Sequence, residues 1–431
     1  MSVQIINRYG ERRCILIPIS FRLLSGNHIG GQPWCEDIPL APMVCTTSHR
    51  QRGFYYRSTP VISSFWIQNY LNCHVSLCSM VVHSLIIRLG TFSLWYSYQC
   101  SFETFKQAGF GLEQSKALML QAVRLADRAR TLFHSETPNQ ELHETLPAND
   151  HERRCILIAL SLGPFGATLQ PTQEFGGFYP PPYGPQEFNE RSSNFNSFGE
   201  SLDARCLAID ALADFHFQRL LVFLSDDDVW DSIDVLAFET VPLRREVVAI
   251  RKAIRQLHTT VQKAGKSPKP WWISCVFPDG ESPNESTAGG PKLQIDDLLE
   301  ATFGGVEAIG VAPSFPSPSG FGINCTLVKY IAPLTIKLRK YMQRTKLDNS
   351  RLWLILYPNG NDTYDEATRS WRGRPQACDE MGWAEEVGAI VRKIMQAEES
   401  TTKVFGGIVV GGCCKTSPKD IAALHCALDS Q

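Results

Sequence analysis

Residues 405–414 read Phe405-Gly406-Gly407-Ile408-Val409-Val410-Gly411-Gly412-Cys413-Cys414, a short apolar run between glycines that ends in two adjacent cysteines. A run of this kind predicts a buried strand. Adjacent cysteines make a poor disulfide, because neighbouring residues bring their Cβ atoms together only by distorting the peptide. Both sulfurs can face one metal ion, and the preceding glycines let the backbone turn there. The pair therefore indicates a metal site, with two buried small side chains or a reactive thiol as alternatives.

Short β-branched runs alternate with amphipathic helical stretches from about Trp95 onward. This alternation is typical of βα units around a parallel sheet. The candidate strands are residues 156–162, 235–238, 271–276, 308–311, 352–356 and 404–410. The candidate helices are residues 114–129, 204–224, 244–258, 327–340 and 383–395. Reactive groups follow several of these strands, which predicts an α/β fold of the (β/α)8 TIM-barrel type.

A third cysteine, Cys325, follows the predicted strand at residues 308–311 and precedes a predicted helix. In a barrel its sulfur would point toward the same strand ends as Cys413 and Cys414. Three thiolates leave the fourth tetrahedral position of Zn²⁺ open, as in catalytic sites, although a structural site with a fourth cysteine is an alternative. Thiol-rich zinc activates water weakly but holds another sulfur ligand as thiolate. Such a thiolate can attack an electrophilic carbon, for example the methyl group of a sulfonium.

The composition indicates a small-molecule ligand. The chain has 431 residues, of which 43% are hydrophobic, enough for a large core in about three domains or in one α/β barrel with insertions. Its formal net charge of -2 gives no electrostatic footprint for nucleic acid or an anionic membrane surface. The apolar stretch 75–94 contains His83 and Arg88, which argues against a membrane span.

The cysteine usage predicts a reducing, cytoplasmic location. Fourteen cysteines are scattered along a chain in which we find no secretory signal, unlike the disulfide frameworks of small secreted domains. The apolar run 14–19 is too short for a signal core and lacks a small-residue cleavage site. Residues 1–95 show no clean period and are interpreted as an atypical N-terminal region, for which poor order is one expectation. Residues 96–428 are predicted to form the barrel domain.

Two cysteine motifs resemble the zinc-binding signature of the homocysteine S-methyltransferases. They are Gly322-Ile323-Asn324-Cys325 and Gly411-Gly412-Cys413-Cys414-Lys415-Thr416-Ser417-Pro418. Residues 98–102, 161–167, 236–242 and 357–359 are similar to further blocks of that family, in the same order. The resemblance, which covers residues 96–424, implies transfer of a methyl group from S-methylmethionine or S-adenosylmethionine to homocysteine, giving methionine. Both donors are sulfonium compounds, so the sequence leaves the choice between them open.

The resemblance also implies roles for individual residues. It implies that the three zinc ligands are Cys325, Cys413 and Cys414. It makes Glu239 the residue that binds the substrate's α-ammonium group, which suits a carboxylate at a strand end; a helix cap or salt bridge is the alternative. Gln99 and Ser101 are candidates to line the pocket, or are simply solvated. Asn324 either orients Cys325 or contacts substrate, and Asn359 either contributes to the site or is an ordinary turn residue.

One block of the family is missing. The family begins with a strand and an Asp-Gly-Gly-x-Gly-Thr loop whose aspartate helps bind the amino acid, and residues 28–32 only faintly resemble it. The first βα unit is therefore predicted to be missing or disrupted. This favours a second hypothesis, a catalytically impaired member that still binds zinc and homocysteine. A third hypothesis is a redox protein that cycles a disulfide between Cys413 and Cys414.

Overall fold

The computed structural model describes residues 2–6, 12–16, 97–136, 157–304, 315–345, 352–360, 363–365, 370–372, 380–400 and 403–429. All of them belong to the compact unit that comprises Met1–Ser20 and His74–Gln431. The predicted N-terminal region, residues 1–95, is thus described only in two short segments, and its expected poor order lies outside the described residues. The predicted boundary at residue 96 stays a prediction.

The secondary structure alternates between strands and helices after residue 157. The described strands are β1 (Ser2–Ile6), β2 (Arg12–Leu16), β3 (Ala159–Leu162), β4 (Val235–Val241), β5 (Trp271–Cys275), β6 (Gly320–Asn324), β7 (Trp353–Tyr357), β8 (Thr363–Asp365), β9 (Ser370–Arg372) and β10 (Gly407–Gly411). The described helices are α1 (Phe102–Gln107), α2 (Leu112–Glu136), α3 (Leu202–Leu224), α4 (Asp227–Ser232), α5 (Arg244–Lys263), α6 (Ile295–Phe303), α7 (Val328–Thr345), α8 (Glu380–Ser400) and α9 (Pro418–Asp429).

Six parallel strands lie side by side in one sheet, in the order β3-β4-β5-β6-β7-β10. The sheet is curled into a half-barrel. Helices α3, α5, α6, α7, α8 and α9 pack successively against one another. Strands β3, β4, β5, β6 and β10 are wholly buried, as expected when both faces of a parallel sheet are covered. No helix in the described part of the chain is long and apolar enough to cross a bilayer.

Alternate residues of the strands belong to two separate apolar clusters, because successive side chains point to opposite faces of a sheet. Phe238 and Leu354 belong to the larger cluster. Ala237 and Ile355 belong to a smaller cluster. The smaller cluster also contains cysteine side chains from the loops after β6 and β10, which places those loops over the inner face of the half-barrel.

The predicted α/β fold with a parallel sheet is confirmed, but eight βα units are not found among the described residues. Beside β10 lies β1, which runs antiparallel to it, followed by β2. Val3 pairs with Gly411 at the carboxyl end of β10, and Ile6 pairs with Ile408 near its amino end. A parallel first strand would carry its following loop to the carboxyl ends of the other strands. Because β1 is antiparallel, its own carboxyl end lies beside the amino ends of the parallel strands.

The strand that directly precedes Cys325 was not predicted. The candidate at residues 308–311 lies outside the described residues, and the strand that precedes Cys325 is β6. Its sequence, Gly-Phe-Gly-Ile-Asn, has low strand propensity because glycine leaves no side chain to pack. The glycines are needed here because β6 lies close to its neighbours. A Cβ added at Gly320 would lie 3.1 Å from the Trp353 carbonyl oxygen.

Gly322 is the most constrained glycine of β6, and we expect Gly322→Ala to destabilise the protein. An added Cβ would lie 2.4 Å from the carbonyl oxygen and 2.5 Å from the Cβ of Ile355, so the strands would have to separate. Overpacking of this kind lowers the free energy of unfolding by about 1–3 kcal/mol. Urea unfolding measures the change. The control is Gly382→Ala in α8, where an added Cβ meets nothing within 4 Å and where helix propensity predicts a gain of up to about 1 kcal/mol. Equal midpoints for Gly322→Ala and the unmodified chain would contradict this prediction.

Candidate metal centre and substrate pocket

Three cysteine sulfurs meet at the carboxyl ends of the parallel strands. Cys325 directly follows β6, and Cys413 and Cys414 follow β10 after a single glycine. Since β6, β7 and β10 are parallel neighbours, their carboxyl ends lie together. The three Sγ atoms all lie within 4.8 Å of one another, and those of Cys325 and Cys414 are 3.8 Å apart. Cys325 and Cys413 are buried, whereas Cys414 is half-buried.

The structure pairs Cys325 with Cys413 as a disulfide, with 5.4 Å between their Cα atoms. Cys414 lies outside this pair, and the disulfide between Cys413 and Cys414 of the redox hypothesis stays a prediction. Reduction of the pair leaves three thiols directed at one point. Metal ions bind the thiolate form of cysteine, so reduction and deprotonation must precede metal binding.

Unusual backbone conformations turn the chain at these strand ends. Thr240, Cys325 and Lys415 have left-handed φ angles of 57°, 48° and 62°. Such angles are uncommon outside glycine and cost about 1–3 kcal/mol when the surroundings enforce them. Backbone hydrogen bonds to the loop after β7 hold the tandem cysteines in place. The Cys413 amide donates to the Pro358 carbonyl at 2.7 Å, and the Gly360 amide donates to the Cys414 carbonyl at 2.8 Å. The loop after β7 therefore holds both cysteines of the tandem pair.

Asn324 joins the strand ends of β4 and β6. Its Oδ1 atom accepts the Thr240 amide at 2.8 Å, and its Nδ2 group donates to Thr240 Oγ1 at 2.7 Å. The Nδ2 group also lies 3.9 Å from Cys413 Sγ, and Thr240 Oγ1 lies 3.7 Å from Cys325 Sγ. These contacts suit the predicted orienting role of Asn324, which stays a prediction. The alternative, contact with substrate, stays a prediction.

Glu239 is a buried carboxylate at the carboxyl end of β4. Its Oε2 atom accepts a hydrogen bond from Ser161 Oγ at 3.0 Å, and its Oε1 atom has no partner among the described residues. Burial raises the pKa of Glu239 to about 7, against the opposing effect of the Ser161 and Tyr357 hydroxyls. The next helix, α5, begins at Arg244, and within the described chain Glu239 caps no helix and forms no ion pair. An unsatisfied buried carboxylate oxygen suits a cationic ligand.

The two other predicted pocket residues have protein partners. Ser101 is the N-cap of α1, and its Oγ atom accepts the Thr104 amide at 3.1 Å. Gln99 Nε2 donates to the Ala167 carbonyl at 3.1 Å. Asn359 is buried, and its Oδ1 atom has no partner in the described part of the chain. Substrate contacts by these residues stay predictions.

Sequence reasoning missed three hydroxyl-bearing residues near Glu239, namely Tyr98, Ser274 and Tyr357. Tyr98 is buried, its hydroxyl donates to Glu174 Oε2 at 2.9 Å, and burial raises its pKa well above the ordinary value. Tyr357 shares a hydrogen bond with Ser274, and burial followed by the charge of Glu239 raises its pKa. Aromatic residues and serines in apolar strands are indistinguishable from core residues by pattern. The available signals were the position of Tyr357 at the last residue of a strand and the place of Tyr98 and Tyr357 in blocks that resemble the family.

A buried polar network supports the turn after β3. Glu246 accepts hydrogen bonds from the Phe165 amide at 2.7 Å and the Tyr179 hydroxyl at 2.7 Å. Its Oε1 atom also lies 3.1 Å from His216 Nε2. Burial lowers the pKa of His216 to about 4, so the ring is neutral at pH 7 and its Nε2 atom carries the hydrogen. The network therefore holds the first residues of the loop that follows β3.

Arg219 extends this network to the backbone next to Ser161. One nitrogen of its guanidinium, Nη2, lies 2.9 Å from both the Gly163 carbonyl oxygen and His216 Nδ1. Because His216 donates through Nε2, its Nδ1 atom is free to accept from Arg219. The sequence signal for this network was the set of polar residues His216, Arg219 and Glu246 in α3 and α5. The helical pattern alone, however, would place such residues on the solvent-facing side of each helix.

We expect His216→Gln to reduce the loss of stability on acidification. The pKa of His216 is about 4 in the folded protein, below its ordinary value of 6.5, so the unfolded chain binds the proton first. The stabilisation is complete above about pH 6.5 and is lost as the pH falls toward about 4. The lowered pKa of Glu246 acts in the same direction, but below its ordinary value of 4.5 and thus outside the pH range of this measurement. Urea unfolding at pH 7 and pH 5 should show a smaller difference for His216→Gln than for the unmodified chain. His258→Gln, on the half-buried part of α5, should keep most of it; equal differences in all three proteins would contradict the expectation.

The half-barrel of parallel strands with a thiol cluster at the strand ends defines an α/β protein of the TIM-like class with a candidate metal centre. The sequence profile described as Homocysteine S-methyltransferase matches residues 96–428. The chain therefore belongs to the homocysteine S-methyltransferase family, a family of methyltransferases.

Several curated proteins and solved structures are similar to the chain. Homocysteine S-methyltransferase 2 of Arabidopsis thaliana is 25% identical over 329 residues, 76% of either chain. Homocysteine S-methyltransferase YbgG of Bacillus subtilis is 27% identical over 325 residues, 75% of either chain. Selenocysteine methyltransferase of Astragalus bisulcatus is 27% identical over 334 residues, 78% of this chain and 77% of that protein. The metallated form of the Escherichia coli homocysteine methyltransferase MmuM shares the fold, with a TM-score of 0.51 at 21% identity over 86% of this chain and 91% of that one.

Proposed function

We propose that this protein is a zinc-dependent enzyme that transfers a methyl group from S-methylmethionine or S-adenosylmethionine to homocysteine, giving methionine. The observation that carries the proposal is the convergence of three sulfurs within 4.8 Å at the strand ends, in a chain of this family. The ligands are Cys325, Cys413 and Cys414. Small-molecule substrates are its proposed partners.

The residues present fit zinc. Three cysteine sulfurs form a soft donor set that leaves one tetrahedral position for a further ligand. When bound, zinc supplies a Lewis acid that keeps a thiol ligand deprotonated at neutral pH. The protein ligands are themselves needed as thiolates, so we propose that the protein works in a reducing compartment, the cytoplasm.

Glu239 would bind the ammonium group of homocysteine. Its unsatisfied Oε1 atom accepts the charged donor, and an ammonium group nearby favours the ionised carboxylate over the neutral form that burial favours. Ser161 holds the other oxygen in place. Glu239 directly precedes Thr240, whose hydroxyl contacts Cys325 Sγ, so the carboxylate and the thiol cluster lie at one strand end. One amino-acid substrate can therefore contact both.

The chemical step is a direct transfer between two sulfurs. The homocysteine thiolate attacks the methyl carbon of the sulfonium, the new carbon–sulfur bond forms, and the old one breaks with its electron pair retained by the donor. The donor leaves as a neutral thioether, and the thiol proton has already been released to solvent on binding. The contribution of the protein is to activate and align the thiolate, with no general base in the transfer itself.

A catalytically impaired member is the second candidate. The absence of an Asp-Gly-Gly sequence and the antiparallel direction of β1 favour it, because neither supplies a loop from a first parallel strand to the pocket. Isothermal titration of homocysteine into the zinc-loaded protein, followed by an assay of methionine with both donors, separates the candidates. Binding without methyl transfer would favour the impaired member.

We expect Cys413→Ser to lose both zinc and activity. A hydroxyl is a harder and weaker ligand than a thiolate, so two thiolates remain in place of three. After reduction, loading with zinc and dialysis against a chelator, the unmodified chain should retain about one zinc ion and the variant far less, with methionine formation at background. Cys206→Ser, on α3, is the matched control and should keep both. Full zinc content and activity in Cys413→Ser would be incompatible with the proposed centre.

We expect Glu239→Gln to raise the KM for homocysteine while zinc content is unchanged. A hydrogen bond to a charged group contributes about 1.5–3 kcal/mol, which corresponds to roughly 10- to 150-fold in KM. Initial rates at varied homocysteine measure this effect. Ser161→Ala, which leaves the carboxylate charge in place, should have a smaller effect. An unaltered KM, combined with a loss of thermal stability, would assign Glu239 a structural role instead.

A further inference from the structure

Thr240 has a backbone conformation that its side chain does not favour. It is fully buried at the carboxyl end of β4, with a φ angle of 57°. A left-handed φ is a clear outlier for a β-branched residue and costs about 1–3 kcal/mol. Such strain persists only when surrounding contacts enforce it, and it is concentrated at functional sites. The contacts of Thr240 therefore indicate what the strained conformation achieves.

Asn324 enforces the conformation from two sides. Its Oδ1 atom accepts the Thr240 amide hydrogen at 2.8 Å, and its Nδ2 group donates to the Thr240 hydroxyl oxygen at 2.7 Å. A hydroxyl group has only one hydrogen to donate. Because the oxygen of Thr240 accepts from Asn324, that hydrogen remains available for Cys325 Sγ, 3.7 Å away. The second hydrogen of the Asn324 Nδ2 group faces Cys413 Sγ at 3.9 Å.

We propose that Thr240 and Asn324 are positioning residues that donate hydrogen bonds to two of the three metal-binding thiolates and so set the electron density on sulfur and the affinity for metal. This inference rests on the proposed zinc centre. Three thiolates place three negative charges around a dication, and each hydrogen bond to sulfur reduces the repulsion among them. Groups that hydrogen-bond metal ligands typically change metal affinity by 10- to 100-fold.

Tyr98 offers a competing acceptor for the Thr240 hydrogen. Its hydroxyl interacts with Thr240 and gives its own hydrogen to Glu174 Oε2, so its oxygen is able to accept. A thiolate is the stronger acceptor because it is charged. Because the thiolate is expected to take the hydrogen in any case, removing the competing acceptor with Tyr98→Phe should not alter the hydrogen bond to sulfur. Tyr98→Phe is therefore the control for removing a neighbouring hydroxyl without removing the donor.

Cobalt substitution tests the inference with a readout other than activity. The reduced full-length chain is loaded with Co²⁺, and the energy of its thiolate-to-cobalt charge-transfer band and its affinity in competition with a chelator are measured. In Thr240→Val, which keeps the branched shape and loses the donor, we expect the band to move to lower energy and the affinity to fall about tenfold or more. Thr240→Ser, which keeps the hydroxyl, should restore both, and Tyr98→Phe should leave both unchanged.

Thr240→Gly provides a second variant that avoids misfolding. Glycine adopts a left-handed φ without strain, so this chain should be at least as easy to fold, yet it lacks the donor. It should show the same band shift as Thr240→Val. Unchanged bands and affinities in both variants would overturn the inference while leaving the zinc centre intact. Absence of thiolate-to-cobalt bands in the unmodified chain would instead overturn the centre itself.

Discussion

The convergence of three sulfurs at one edge of a parallel sheet is the constraint on which the rest of the site depends. It requires β6 and β10 to run in the same direction on either side of β7, so that their following residues meet. It also requires the chain to turn sharply at Cys325 and again at Lys415, both in left-handed conformations. The close approach of Gly322 to β7 serves the same end, since any side chain there would displace the strand that carries Cys325.

The polar groups around the cluster divide into two functions. Asn324 and Thr240 connect β4 to β6 and contact two of the sulfurs that are the proposed metal ligands. Glu239 lies one residue away and keeps an unsatisfied oxygen in a buried setting, so it is suited to bind a cation. Behind them, the Glu246 network holds the turn after β3 and thereby the strand that carries Ser161. Hydrogen bonds thus offset the free-energy cost of backbone strain and of burying polar groups at the strand ends, and they fix the positions of the reactive groups.

Sequence reasoning singled out the three cysteines from the chemistry of thiols at strand ends, and the structure brings their sulfurs together within 4.8 Å. It singled out Glu239 from the resemblance to the family, and the role of that residue stays a proposal. It missed the strand that directly precedes Cys325, because the glycines that allow β6 to approach β7 also remove the strand pattern. It did not predict that Ser101 caps α1, a local contact that depends on the exact start of a short helix. The roles of the Tyr98 hydroxyl and the His216 ring could not be predicted from the sequence, because burial and hydrogen-bond partners decide them. The missing first-strand motif was noticed in the sequence, but the antiparallel direction of β1 depends on long-range pairing with β10.

X-ray absorption at the zinc edge tests the central claim most directly. For the reduced, zinc-loaded chain we predict three sulfur neighbours at about 2.3 Å and one lighter neighbour, and a change to four sulfurs when homocysteine is added. Two or fewer sulfur neighbours, or an unchanged spectrum at saturating homocysteine, would contradict the account of a three-thiolate centre with one position for the substrate.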